Sequence, residues 1–252
     1  MEIKGKKAVV VGGASGMGRA TAELLAARGA AVAVLDREGS AGPDVAKAVG
    51  GPFHPVDVTD FAGTEAALAA AVADLGGLHV VVTTAGGGVA QRTLGKTGPH
   101  DLDAFRQTVD LNLIASFNIS RLAAAHMSTN EPEDEERGVI INTASIAAFE
   151  GQIGQVAYTA AKAGIAGMCL TMARDLGSLG IRVLAIAPSL FSTGITAGIP
   201  DDFAKALTKD AAFPKRMGRP EEYAKLAYAI VDNPMLNGQC LRLDGGQRFA
   251  PR

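Results

Sequence analysis

The sequence predicts an α/β chain of one domain: a doubly wound parallel sheet of about seven strands with helices on both faces. Three observations carry this expectation. Runs of Val, Ile, Leu and Ala alternate with Ala-rich helical stretches from end to end. The apolar runs are continuous rather than alternating, as in strands covered on both faces. A glycine-rich turn, Gly12 to Gly18, follows the first run and opens the first helix.

Lys7–Val11 reads as the first strand, and Gly16–Arg28 as a helix closed by Gly29. Ala31–Leu35 is the second strand. A helix at Ala41–Val49 leads to a strand at Phe53–Val56. Thr64–Asp74 is helical and Leu78–Thr83 is a strand. Leu102–Met127 reads as one long helix, Gly138–Thr143 as a strand, and Val156–Leu176 as another long helix. Ile181–Ile186 and Gln239–Leu243 complete the strand set. Gly86–Pro99 lacks helix or strand signals. The acidic stretch Thr129–Arg137 reads as a solvated surface loop. No linker divides the chain, so a nucleotide-binding half (about 1–110) and a catalytic half (about 111–252) are expected within one domain.

Composition narrows the function classes. The 252 residues are 48% hydrophobic and carry a formal net charge of −2, which favours neither nucleic acid nor an anionic membrane surface. No apolar run reads as long enough to span a bilayer. The first strand begins close to Met1, which leaves no room for a cleavable signal, and a cytoplasmic protein is expected. Cys169 and Cys240 lie far apart in segments that read as buried helix and strand, so no disulfide is expected. His54, His79, His100 and His126 show no ligand spacing, and no metal site is expected.

The chemistry-bearing residues fall in two groups. Gly12, Gly16 and Gly18 have the spacing Gly-x3-Gly-x-Gly, which lets a pyrophosphate approach bare N–H groups at a helix N-terminus. The same spacing also suits a strand–helix turn without a ligand. Asp36 ends the second strand, where a carboxylate would accept from an adenosine ribose and repel a 2′-phosphate. It would equally serve as a helix N-cap. Arg37, next to it, could instead pair with such a phosphate, while Ser15 offers that phosphate no cation. Together these cues favour NAD. Asp57 could accept from the adenine amine, or simply form a turn.

Tyr158 and Lys162 stand four residues apart, so on a helix they share a face. An ammonium about 4 Å from the phenol, at an effective dielectric near 20, is worth about 4 kcal/mol. That is enough to bring a phenol from its usual value near 10 toward neutrality, where it suits removal of an alcohol proton. Ser145 could hold the same substrate oxygen. Asn112 is a poor helix former inside a predicted helix, which suggests a backbone carbonyl freed to hold a water leading to Lys162. Taken singly, a Tyr-x3-Lys pair is as well read as a surface pair, and the Ser as a polar strand end.

Taken together, these residues make the chain resemble the short-chain dehydrogenase/reductase family along essentially its full length. The family's Thr-Gly-x3-Gly-x-Gly element is similar to Val11-Gly12 through Gly18. Its adenine-side Asp is similar to Asp57, and its catalytic Asn, Ser, Tyr and Lys to Asn112, Ser145, Tyr158 and Lys162. Its Pro-Gly segment is similar to Pro188-Ser189, and its carboxamide-holding threonine to Thr193. Cofactor contacts are also expected from Ser15, Met17, Val58, Ala85 and Gly86, and from Tyr158 and Lys162, the lysine holding the ribose. Three departures stand out: Val11 for Thr, Thr83-Thr84 for Asn-Asn, and Ser189 for Gly.

Longer strings, NTASIAAFEGQIGQVAYTAAKAGIAGM and NPMLNGQCLRLDGGQR among them, resemble a subgroup of the family. That subgroup oxidises the 3-hydroxyl of acyl-CoA thioesters with NAD, accepts some steroids and forms tetramers. The resemblance therefore implies a Rossmann-like homotetramer acting on a 3-hydroxyacyl-CoA. The alternative is an NADPH-dependent 3-ketoacyl or steroid reductase. Gln152 and Gln155 are read as lining the substrate mouth, and Phe191, Ile195 and Ile199 as an apolar lid. Loop polarity and ordinary packing are the competing readings. Small residues around Tyr158, among them Ala160, Ala163, Gly164 and Gly167, would let a second helix approach closely.

Overall fold

The computed structural model describes residues 1–194 and 201–251, the side chains of Asp201 and Phe203 excepted. In chain order the elements begin with β1 (Lys7–Val11), α1 (Gly16–Ala27), β2 (Ala31–Asp36), α2 (Gly42–Val49), β3 (Phe53–Pro55), α3 (Phe61–Leu75) and β4 (Val80–Thr83). A small hairpin, β5 (Leu94–Gly95) and β6 (Gly98–Pro99), comes next. Then follow α4 (Leu102–Val109), a π-helical turn (Asp110–Ile114), α5 (Ala115–Met127) and β7 (Gly138–Thr143). The chain continues through α6 (Val156–Leu176), β8 (Ile181–Pro188), α7 (Asp201–Thr208), α8 (Pro220–Asp232) and β9 (Cys240–Leu243).

Seven strands form one parallel sheet in the order β3-β2-β1-β4-β7-β8-β9. The order reverses between β1 and β4, and such a switch opens a crevice beyond the carboxyl ends of the strands. Val11 is in register with both Leu35 and Thr83, so the ends of β1, β2 and β4 reach that crevice at one level. Alternation along each strand divides the core. Val10, Val34 and Val82 face α1, α2 and α8, where Leu25, Val45 and Ile230 are buried. Val9, Ala33 and Val81 face α3 and α5, where Leu68, Ile119 and Met127 are buried. Burying one Leu or Ile of this set stabilises by about 1.5–3 kcal/mol.

Five expectations change. The long helix over 102–127 is interrupted by the π turn, in which Asn112 sits fully buried. Gly86–Pro99 contains the antiparallel pair β5–β6. α7 and α8 were not anticipated, although Pro220 in the first turn and the Glu222 carboxylate accepting from Arg219 N at 2.8 Å are helix-start signals. The acidic stretch is not wholly solvated, because Glu136 is buried against Arg182 at 2.7 Å. Finally, residues 156–179 are long and apolar enough to cross a bilayer by length and composition, but α6 packs along β8 as a core helix does. The two cysteines are free, and despite their distance in sequence they meet in one small apolar cluster beneath α6.

Candidate active site

The turn after β1 is shaped by close backbone approach. Gly12 has φ +81°, and a Cβ there would lie 2.5 Å from Ala85 N. A Cβ on Gly18 would lie 2.1 Å from Gly12 O, and one on Gly16 (φ +50°) 3.0 Å from Thr193 Cβ. Ser15, the N-cap of α1, is extended and makes no side-chain cap, and the first turn holds no acidic residue. The helix therefore presents its first N–H groups and positive dipole end to the crevice. Side chains at the three glycines would fill this cradle, and an anionic pyrophosphate fits it.

The crevice is a cleft of about 480 Å³. Its walls bring together Gly12, Ser15, Gly16, Met17, Gly18, Asp36, Asp57, Val58, Ala85, Gly86 and Thr193, as the sequence predicted. Pro188, Tyr158 and Lys162, also expected to contact the cofactor, do not line the cleft, and Pro188 ends β8 as a buried residue. Arg37, Thr59, Thr84 and Leu111 line it without having been assigned a cofactor contact. Asp36 is no helix cap, since Ala41 precedes α2. Its carboxylate instead accepts from Ala14 N at 2.9 Å and from Arg37 N at 2.7 Å, which fixes it at the rim. Asp57 forms a turn: one oxygen accepts from Thr59 N (2.9 Å) and Thr59 Oγ1 (2.7 Å). Those bonds hold its pKa below the usual carboxylate range, and the nearby Arg37 adds to the effect.

The Gly86–Gly88 segment links the cleft to the tyrosine. A Cβ on Gly86 would lie 3.2 Å from Lys162 Nζ, and one on Gly88 3.4 Å from Tyr158 Cδ2. Lys162 lies 5.5 Å from the Tyr158 ring centroid on the shared face of α6. Its ammonium donates to Thr143 O at 2.7 Å. Burial lowers the lysine to about 8. The Ser145 hydroxyl stands near enough to the Tyr158 phenol to favour its ionised form, and Ser145 Oγ accepts from Ala147 N at 3.1 Å.

One expectation is corrected here. Burial raises the Tyr158 phenol above its ordinary value, and the Ser145 hydroxyl offsets this only in part. The ammonium of Lys162, directed at a backbone carbonyl, does not overcome this burial in the resting protein. Asn112 has a structural part as well. Its side-chain amide donates to Gly87 O (2.6 Å) and Thr108 O (2.8 Å) and accepts from Gly87 N (3.2 Å), which anchors the linking segment. Its backbone carbonyl, expected to hold a water, accepts from Ser116 Oγ at 2.6 Å with one of its two lone pairs.

The family profile described as short chain dehydrogenase matches residues 6–204. The chain belongs to the short-chain dehydrogenase family. It is therefore an oxidoreductase of the kind that works with a nicotinamide cofactor. This dehydrogenase is 48% identical to 3-hydroxyacyl-CoA dehydrogenase type-2 of Homo sapiens, across 99% of this chain and 97% of that protein. Identity to the Drosophila melanogaster protein of the same name is 47%, across 99% and 100%. Among solved structures, 3-hydroxyacyl-CoA dehydrogenase type-2 from Mycobacterium avium superposes with a TM-score of 0.94 at 43% identity, covering 98% of each chain. A 7α-hydroxysteroid dehydrogenase complexed with NADH and 7-oxo glycochenodeoxycholic acid superposes with a TM-score of 0.88 at 27% identity, covering 100% and 97%.

The departures from the family pattern are partly compensated. Thr84 Oγ1 donates to the carbonyls of Val11 (3.2 Å) and Gly12 (3.1 Å), so a hydroxyl on β4's extension braces the turn in this dehydrogenase. Thr83 Oγ1, by contrast, is buried without a hydrogen-bond partner among the described residues.

The substrate residues fare less well. Gln152 Nε2 donates to Ala250 O (3.1 Å), and Gln155 Oε1 accepts from Gln152 N (3.0 Å), so the pair ties a loop to the C-terminal segment. Gln152 lines a separate open groove of about 680 Å³ with Arg92, Leu94 and Pro251. Phe191 is no lid: it is 5% exposed and packs into the core on the α1 side of the sheet, where Gly218 makes room for its ring. Ile195 and Ile199 lie outside the described residues.

Proposed function

We propose that the chain oxidises the 3-hydroxyl of a 3-hydroxyacyl-CoA thioester with NAD. The observation that carries the proton-transfer half of this reading is the Ser145–Tyr158–Lys162 arrangement at the edge of the glycine-cradled cleft. The relatives named above support the thioester. The Asp36 carboxylate, held at the cleft rim by two backbone N–H groups, supports NAD over NADP, because it would repel a 2′-phosphate.

When bound, a nicotinamide dinucleotide supplies the hydride acceptor, taking the carbinol hydride at C4. Gly12, Gly16 and Gly18 would hold its pyrophosphate and Asp36 its ribose. Tyr158 takes the hydroxyl proton as the carbon–oxygen bond becomes a carbonyl, and Ser145 fixes the oxygen. Because burial keeps the resting phenol neutral, its ionisation depends on positive charge arriving beside it. Lys162 supplies one such charge and a cationic nicotinamide a second. Asn112 holds the Gly86–Gly88 segment that links the cleft to the tyrosine.

A homotetramer and a cytoplasmic setting belong to the same reading. Val156, Ala160, Gly167 and Leu170 share an exposed face of α6, and Ile114 and Phe117 are exposed on the adjacent π turn and α5. A Cβ on Gly167 would meet nothing within 4 Å, which leaves room for a second copy. The free thiols fit a reducing compartment.

The test is a panel of 3-hydroxyacyl-CoA thioesters of graded length, with steroids alongside, assayed with NAD and NADP. Thioester turnover with NAD is expected, and Tyr158→Phe should bind NADH normally yet lose at least about 100-fold in kcat. Strong preference for NADP would point to the reductase reading through Arg37. Near-normal turnover by Tyr158→Phe would remove the role given to the phenol.

A further inference from the structure

Lys162 is buried, and its ammonium finds its acceptor in the carbonyl of Thr143, the last residue of β7. The side chain of that same residue is tied down on two sides. Thr143 Oγ1 donates to Thr83 O on β4 at 2.6 Å and stands 2.7 Å from the phenol oxygen of Tyr223 on α8. A hydroxyl has one proton, and with Thr143's committed to Thr83 the phenol must be the donor. The result is a directed chain, Tyr223 to Thr143 to Thr83, in which each bond polarises the next. Tyr223 is fully buried, and burial pushes its phenol above its ordinary value, so it keeps its proton at any working pH.

We propose that Thr143 and Tyr223 are positioning residues for Lys162: their hydroxyl pair pins the end of β7 to β4 and α8, so that the Thr143 carbonyl stands where the ammonium requires an acceptor. The inference rests on the reading of Tyr158 and Lys162 as the proton-transfer pair. The peptide after Thr143 is also held from β8, where Ala144 N donates to Ile186 O at 2.8 Å. The hydroxyl pair adds the hold from β4 and α8. Without the pair the carbonyl shifts from its place opposite the ammonium and offsets the burial of the cation less well. Around the ammonium stand Tyr158 from α6, the Asn112 amide from the π turn across Gly86, and the Thr143 carbonyl from β7. Burial alone sets the lysine's shift, and no carboxylate contributes to it. An acceptor that favours the charged form raises a lysine's pKa, so its loss must lower it.

The experiment compares wild type, Thr143→Val, Tyr223→Phe, the double variant and Thr143→Ser, with Tyr158→Phe as benchmark. Each single apolar variant strands a buried hydroxyl or weakens the chain and can lose stability for that reason alone. The double variant removes both hydroxyls and should recover stability. In it, the alkaline limb of the kcat–pH profile should move down by about one unit and kcat fall about ten-fold. The Lys162 titration, followed by NMR of ¹³C-labelled lysine in the unliganded protein, should fall below about 8 by the same amount. Thr143→Ser should restore both. A double variant with the wild-type pH profile and lysine titration overturns the inference while leaving the catalytic reading intact. A Tyr158→Phe enzyme that still turns over fails that reading and takes the inference with it.

Discussion

Tyr158 shows how far a spacing argument reaches. Four residues on a helix place phenol and ammonium on one face, and the structure keeps them there, 5.5 Å from ring centroid to nitrogen. Spacing says nothing of burial, and burial sets the resting state, with the phenol raised and the lysine lowered to about 8. The glycines were legible for a different reason: no other residue tolerates that approach of backbone to backbone. Gly18→Ala should therefore be severe, because its Cβ would lie 2.1 Å from a carbonyl oxygen that cannot move without opening the turn. Overpacking of this kind costs about 1–3 kcal/mol, and NADH affinity should weaken by about ten-fold or more. Fluorescence titration with NADH measures it, and wild-type affinity in the variant would show that the turn has slack. Phe191 was misread because apolarity carries no direction.

Among the elements, α8 was overlooked, and it supports the site from behind. It packs on α1, which opens the cleft, and it carries Tyr223. Its C-terminal end is capped from a distance by Arg182 of β8, which donates to the carbonyls of Ile230 (2.8 Å), Val231 (3.1 Å) and Leu236 (2.9 Å). A cation at a helix C-terminus is favourable, and here Glu136 balances its buried charge at 2.7 Å. Arg182→Met should destabilise by about 3–5 kcal/mol, since it strips several buried carbonyls of their donor and leaves the Glu136 carboxylate with only the N-terminal ammonium of Met1, 2.8 Å away. Urea denaturation reads this as a lower midpoint, and adding Glu136→Gln should recover part of it. An unchanged midpoint in the single variant would mean that water replaces the guanidinium without cost. Neither partner was legible in advance, because Glu136 lies in an acidic stretch that composition assigns to solvent.

For the whole molecule, the sheet order makes the site. The glycine turn, Asp36 and Thr84 converge because β1, β2 and β4 are in register at their carboxyl ends, on either side of the reversal. The exposed face of α6 extends the same logic to assembly. Gly167→Arg combined with Ala160→Arg should break the proposed tetramer, since two long cations would occupy the space a second helix needs. Light scattering coupled to size exclusion should show a tetramer for wild type and a smaller species for the variant. A wild-type monomer at micromolar concentration would remove the proposal.

The sequence alone determined the strand–helix alternation, the parallel sheet, the glycine cradle and the Ser145–Tyr158–Lys162 set, because hydrophobic period, glycine sterics and helical spacing are local properties of the chain. Tertiary structure alone decided the protonation states, the bond from Lys162 to Thr143, the burial of Glu136 with Arg182 and the meeting of Tyr223 with Thr143. Those depend on which surfaces lose water and which distant backbone groups arrive opposite them, and neither is encoded in any short stretch of residues.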